Sequence, residues 1–468
     1  MRYPLIFFRF FKRVLDKLFK KCCRAFFIDY FGGAQMQHFS PEQVKQTLFS
    51  TIDSLAANRE YYLMNPLSDF TRTKKISFNQ TMIFPMIAGS DNVSTELLSF
   101  FGEDKMPFPS AMIQRRNQVK PEAFRELFTR FTKQFPVLKT FNGYQLVACD
   151  GSRLNLPYNP SDPDSFIQCI SGRKGINQIH LNSLYDLLND LFLDVELQGI
   201  RQMNEKGAFT GFLDKNVQSD RKRIYIADRG YASYNIFAHA IHNGQLFLIR
   251  VPEAFAKTIC TNRKNWLEDP CDDKEVLVHI GRTRTKKNLQ MDNYHHIPSR
   301  GHYDFLEVGS DDTDELKLRV VKFPLTDDSY EYIVTNLPVY GFSLSTIKEL
   351  YGLRWNHETA FRHLKYAGNM VHLHSLKKNL LLQEIYGKLT LYNFTALITA
   401  TVNNAQTVTD KYTYVINHTQ AQKACVRFLK GTIKDIIGLV KKFLVPVRPG
   451  RRFERNLRCQ SADPLTYR

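Results

Sequence analysis

Twice in this chain a short apolar run stops at an aspartate followed by a glycine turn. Tyr144-Gln-Leu-Val-Ala-Cys149 leads into Asp150-Gly151-Ser152, and Arg223-Ile-Tyr-Ile-Ala227 leads into Asp228-Arg229-Gly230-Tyr231. Each run has the length and β-branched, aromatic content of a buried strand. A strand terminus is a rigid place to hold a polar group. Either aspartate alone reads equally well as the cap of a turn. Two of them in one mixed α/β segment, followed by a helix that carries a third carboxylate, make turn capping the lesser reading.

A third carboxylate lies further on, in Tyr351-Gly-Leu-Arg354-Trp-Asn-His-Glu358-Thr-Ala-Phe-Arg-His-Leu-Lys365. At about 100° per residue, Tyr351, Arg354, Glu358 and Lys365 project within roughly a 60° sector of a helix. One face then carries a phenol, a carboxylate and two cations, and Leu350, Leu353, Phe361 and Leu364 form an adjoining apolar stripe. Thr346 and Glu349 have capping-box spacing just upstream. Alone, this pattern reads equally as a solvated amphipathic face.

The rest of the chain divides around these motifs. Residues 1–33 form a basic amphipathic segment whose charges recur too often for a membrane span. Residues 34–135 read as a helical DNA-binding domain, with Gln114, Arg115, Arg116 and Gln118 suited to phosphates and base edges; a bundle with ordinary surface arginines is the alternative. Strands are expected at 176–187 and 191–197, joined by a hairpin at Leu188-Asn189-Asp190, then a helix at 205–214, a helix at 232–243 and a strand at 245–250. Residues 251–325 read as a β-rich insertion with strands near 275–280, 303–308 and 316–323 and a basic run of Arg282, Arg284, Lys286 and Lys287. A core strand follows at 330–336, and 401–468 reads as a C-terminal helical region with a basic tail. Long helices are expected at 380–402 and 420–444.

The formal net charge of +18 points to a polyanionic partner, nucleic acid ahead of an anionic membrane surface. Eight scattered cysteines without a CxxC pair suit a reduced, intracellular protein. The histidines at 295, 296 and 302 lack the spacing and company of a zinc site. Ser152 lacks a paired base, and a Walker-type phosphate loop is missing from the sequence.

Phosphodiester chemistry needs a nucleophilic oxygen activated, a leaving oxygen stabilised and phosphate charge neutralised. Two Mg²⁺ ions about 3.5–4 Å apart accomplish all three, and carboxylates suit that hard cation. Asp150, Asp228 and Glu358 are the carboxylates placed on rigid elements. Asp150 is assigned to the bridging position, with Arg354, Lys365 and Tyr351 holding DNA backbone beside it.

Asp-Gly-Ser after one strand, Asp-Arg-Gly-Tyr after another and Tyr-(2)-Arg-(3)-Glu-(6)-Lys on a helix resemble the DDE transposases of bacterial insertion sequences, over residues 140–400. The resemblance implies an α/β, ribonuclease-H-like catalytic core at 140–250 and 326–400, interrupted by the β-rich insertion, preceded by the helical domain and followed by C-terminal helices. It implies Asp150, Asp228 and Glu358 as catalytic residues and ligands of Mg²⁺, with Mn²⁺ as a substitute. The implied reaction is hydrolytic nicking at the element's terminal inverted repeats, then strand transfer to target DNA by the freed 3′-hydroxyl. It also implies a homodimer on double-stranded DNA, in the bacterial cytoplasm at the nucleoid, with no membrane. Arg229 and Tyr231 match family positions near DNA. Trp266, the insertion's one tryptophan, is the candidate to stack on a flipped base, with a core position as its alternative; Trp355 is expected to pack beside the catalytic helix. A catalytically inactive DNA-binding derivative and a structure-specific nuclease of the same fold are the competing functions.

Overall fold

In the computed structural model, residues 39–72, 75–168, 174–217, 219, 221–260, 271–326, 329–403 and 413–447 are described. The basic segment 1–33, Trp266 and most of the basic tail lie outside them.

Among the described residues five α-helices come first: α1 (Pro41–Ala57), α2 (Phe78–Ile87), α3 (Val93–Phe101), α4 (Pro109–Asn117) and α5 (Pro121–Lys133). Ser40 starts α1 with a full capping box, its hydroxyl accepting from the Gln43 N–H while the Gln43 side chain returns to the Ser40 N–H. Val44, Leu48, Ile52 and Leu55 recur at helical spacing and are fully buried.

The strands follow: β1 (Gln145–Leu156), β2 (Phe166–Ile167), β3 (Ile176–Asp186), β4 (Leu191–Gly199), β5 (Arg223–Ala227), β6 (Leu246–Val251), β7 (Asp272–Gly281), β8 (Tyr294–His296), β9 (Thr313–Thr326) and β10 (Ser329–Thr335). They form one ten-stranded sheet in the order β2-β3-β1-β5-β6-β10-β9-β7-β8, with β4 paired to β3. Within it, β1, β5 and β6 run parallel and β3 runs antiparallel between β1 and β4. The order β4-β3-β1-β5-β6, with only the second strand reversed, is ribonuclease-H-like. Helices α6 (Glu205–Lys215), α7 (Tyr234–His242) and α8 (Glu253–Ile259) connect or flank these strands.

Period-2 alternation explains why β1 lies between two cores. Leu146, Ala148 and Leu154 join the cluster that includes α1 and α5, whereas Val147 and Cys149 join the cluster of α6 and α7. Each fully buried Leu or Phe in such a core contributes about 1.5–3 kcal/mol. Helices α1, α2 and α5 share the first cluster with the sheet, whereas Leu97 of α3 and Met112 of α4 belong to a third, smaller one with Phe84.

The strands of the 251–325 segment do not form a separate sheet. β9 pairs with β10, and β7 with β9, so they extend the core sheet beyond β6. Residues 303–308, expected as a strand, are a loop; Arg282 fixes it by donating to the carbonyls of Pro298, Gly301, Tyr303 and Leu306. Side chains gave a strand-like pattern, but the backbone acceptors there are used by a guanidinium.

The C-terminal third contains α9 (Leu344–Gly352), α10 (Trp355–Arg362), a π-helical turn (His363–Ala367), the long α11 (Lys378–Asn403), α12 (His418–Leu429) and α13 (Ile436–Lys441). The helix expected across 351–365 is thus three pieces in succession. Its start differs too: Ser343, not Thr346, caps it by accepting from the Thr346 N–H. The single helix expected at 420–444 breaks after α12, where Gly431 takes φ +76°. It resumes as α13, then gives strand β12 (Leu444–Val447), paired with β11 (Thr413–Ile416).

Candidate active site

Asp150 is not the last residue of its strand. β5 ends first: Cys149 pairs with Ala227, and beyond that pair β1 continues without its parallel neighbour. The chain leaving β5 places Asp228 beside that gap, where it caps a short 3₁₀ turn (Arg229–Tyr231). Each carboxylate is anchored locally: Asp150 Oδ1 accepts from the Gly151 N–H and Asp228 Oδ1 from the Gly230 N–H, both at 2.8 Å. Gly151 is required by crowding. A Cβ there would collide with the His180 imidazole and stand 2.9 Å from Glu205 Oε1.

Helix α10 brings the third carboxylate from the opposite layer. Arg354, directly before α10, is almost fully buried and donates from one terminal nitrogen to Glu358 Oε1 at 3.0 Å. Its other terminal nitrogen lies 3.7 Å from Asp150 Oδ2, and its Nε has no partner. The guanidinium stacks over Trp355, 5.0 Å from that ring's centroid. Trp355 is 45% exposed, so it sits at the rim instead of packing inward.

The charges respond to one another. Burial first, then the charges of Asp228 and Glu358, push the Asp150 carboxyl up to about 6, even though the Gly151 N–H and Arg354 pull it down. Burial opposes the charge on Arg354, but Tyr351, Glu358, Asp150 and Asp228 outweigh it and raise its pKa. The Tyr351 phenol is buried without a hydrogen-bond partner and is pushed up to about 12, mainly by burial. Nearby, Arg250 and Glu331 form a cross-strand ion pair at 3.3 Å on β6 and β10.

Among the described residues, no three His, Cys, Asp or Glu side chains converge on one point that could hold a metal ion. Arg354 lies between Glu358 and Asp150, 3.0 and 3.7 Å from their nearest oxygens. The donor set itself fits a hard divalent cation, being all oxygen.

Three sequence expectations are corrected. Arg116 is not a phosphate ligand: it is buried, paired with Glu384 at 3.0 Å and hydrogen-bonded to Gln383 and the Leu380 carbonyl, tying α4 to α11. Arg115 is also buried, over the Phe70 ring at 4.3 Å and bonded to Gln118. Tyr231 packs edge-on against Phe209 with 2% exposure, so its ring is core. Arg115 and Tyr231 lie on apolar rings and Arg116 in a buried polar joint, uses that composition cannot distinguish from a DNA contact. Tyr351 and Arg354 also face inward, toward the carboxylates. Arg229 is exposed, and Lys365 is half-buried on the π-helical turn without an ion pair among the described residues. The pairs His180–Glu205, at 3.1 Å, and Arg250–Glu331 were not foreseen. The glycine at 151 was the available signal for the first.

The sheet defines a ribonuclease-H-like core, with Asp150 and Asp228 where β5 stops and Glu358 on a helix that follows the extended sheet. The chain belongs to the transposase DDE domain family, whose model matches residues 141–394. No curated protein matches the chain. Among solved structures, it is similar to the piggyBac transposase in a cryo-EM structure of its synaptic complex with hairpin DNA, at 12% identity over 89% of this chain and 88% of that one, with a TM-score of 0.41. No described helix is long and apolar enough to cross a membrane.

Proposed function

We propose that this transposase serves a bacterial insertion sequence, in the branch marked by Tyr351, Arg354, Glu358 and Lys365. It binds the element's terminal inverted repeats as a homodimer, cleaves them by metal-dependent phosphodiester hydrolysis and joins them to target DNA. The bacterial cytoplasm, at the nucleoid, is where it acts. The observation that carries this reading is the gathering of Asp150, Asp228 and Glu358 around one buried guanidinium, inside the segment that matches the family.

Asp150, Asp228 and Glu358 would hold Mg²⁺ or Mn²⁺. Bound there, divalent cations supply an activated attacking oxygen and a stabilised leaving oxygen. Asp150 and Asp228 are held in place by the N–H groups of Gly151 and Gly230 and Glu358 by its helix. In the metal-free protein Arg354 neutralises these carboxylates; when cations and DNA are bound it exchanges a carboxylate for a phosphate group, a bidentate acceptor of similar geometry. Arg229 and Lys365 hold backbone at the rim, and the net charge of +18 draws the duplex in. Trp266, in the insertion at 251–325, stacks on an unpaired base.

The test is a supercoiled donor plasmid carrying the terminal repeats, incubated with Mg²⁺ or Mn²⁺. Nicks at the repeat ends and joined products are expected, and both vanish with Asp228→Ala or Glu358→Ala. Undiminished cleavage by either variant overturns the assignment. Cleavage without joining would make the protein a structure-specific nuclease; binding without nicking, a DNA-binding derivative.

A further inference from the structure

The strand paired with the one that carries Asp150 is joined to the helix that carries Glu358 by a hydrogen bond that neither carboxylate makes. Ser183 on β3 is the register partner of Asp150, so the two side chains stand on the same face of the sheet. His357 directly precedes Glu358 on α10. Both Ser183 and His357 are fully buried, and Ser183 Oγ lies 2.9 Å from His357 Nε2. The imidazole stacks on Tyr185 and Phe361, at centroid distances of 5.0 and 4.5 Å. Its Nδ1 has no partner. An unpaired acceptor there costs less than an unpaired N–H, which favours the tautomer in which Nε2–H donates to the Ser183 hydroxyl.

Stacked rings resist separation but tolerate sliding. A buried hydrogen bond does not, because a shift of an ångström leaves both groups desolvated and unpaired. A neutral imidazole and a hydroxyl are also a costly choice for a site that an apolar pair could fill. Their use here points to a demand for register.

We propose that the Ser183–His357 hydrogen bond is a register pin, making both residues positioning residues that fix how the Asp150 and Glu358 carboxylates face each other and thereby set divalent-cation affinity. This rests on the reading that those carboxylates hold a cation. The experiment keeps the two apart. Mn²⁺ is titrated into the full-length, DNA-free protein and free Mn²⁺ is followed by electron paramagnetic resonance, with thermal unfolding measured in parallel.

Ser183→Ala deletes only the hydroxyl. His357→Phe keeps a ring of similar shape and loses the donor, and His357→Gln keeps a donor at the reach of Nε2. Ser183→Ala and His357→Phe are each expected to weaken Mn²⁺ binding about tenfold, the scale on which supporting hydrogen bonds act at metal sites. The double variant should be no weaker than either single one, because both remove the same contact. His357→Gln should recover affinity to within about threefold of the unmodified protein. Mn²⁺ affinity unchanged in Ser183→Ala overturns the pin while leaving the carboxylate site standing. Equal loss in His357→Gln and His357→Phe overturns it as well, since ring packing would then be responsible. No saturable Mn²⁺ binding by the unmodified protein, or binding undiminished in Asp150→Asn, overturns the carboxylate reading and the pin with it. Should His357→Phe fail to fold, Ser183→Ala decides alone.

Discussion

Two buried arginines face glutamates in this molecule, and they are not equivalent. Arg116 spends its guanidinium on Glu384, Gln383 and a main-chain carbonyl, and Glu384 in turn accepts from the Ser375 hydroxyl and the His374 N–H. Burial pushes Glu384 up, but Arg116, Ser375 and His374 more than reverse it, so its pKa is lowered. Arg354 has one firm partner, Glu358, one stretched contact at 3.7 Å and an Nε with no partner. Its neighbour Asp150 stays raised. The saturated pair is a joint between α4 and α11, and the unsaturated one can change partners.

The largest effect should come from breaking the saturated pair. Glu384→Ala leaves Arg116 buried without its counter-ion and is expected to cost about 3–5 kcal/mol in urea unfolding. A loss under about 1 kcal/mol would mean that the two arginines are alike after all.

A pH comparison sharpens the site itself. Asp150, raised from 3.8 to about 6 in the fold, contributes stability that is fully present below 3.8 and lost as pH rises toward 6. His357 is lowered from 6.5 to about 3, first by burial and then by Arg354, so its contribution is gained as pH rises from 3 toward 6.5. Between about pH 4 and 6 the two slopes oppose each other. Asp150→Asn removes one of them, so its stability relative to the unmodified protein should fall on acidification by up to about 1.4 kcal/mol per pH unit. Denaturation curves at pH 4, 5 and 6 check this, and parallel profiles would show that Asp150 titrates normally.

Arg354→Gln removes the cation that restrains Asp150. Its carboxyl should then titrate above 6 in the metal-free protein, followed by carboxyl-carbon NMR; an unchanged value would place Arg354 outside the cluster.

The smallest stability change is expected from Glu358→Gln, below about 1 kcal/mol, since its side chain is 39% exposed. Cleavage should nonetheless fall by about two orders of magnitude or more. A small thermodynamic effect with a large catalytic one separates this glutamate from Glu384.

Some of this was legible beforehand. The strand 223–227 was bounded correctly because its apolar run ends abruptly at a carboxylate, and β5 spans those residues. The hairpin at 188–190 was marked by its turn residues, and Asp190 takes φ +56° there. The i, i+4 spacing placed Arg354 and Glu358 on one face, where they bond. Elsewhere local pattern misled. Arg115 and Arg116 read as surface because nothing within α4 reveals that Glu384 lies 268 residues away. The strands expected at 275–280 and 316–323 form, but their pairing through β9 onto β10 is a non-local hydrogen-bond choice that no local pattern reveals.

The sequence by itself determined most of the strands and helices and which of them carry the three carboxylates, since period, turn chemistry and capping act over a few residues. The tertiary structure alone decided that β5 stops one pair short of Asp150 and that Arg354 stands among the acids. It also decided that Ser183 meets His357. Those outcomes depend on register between segments far apart in the chain, and register is set by packing and by the cost of leaving buried polar groups unpaired.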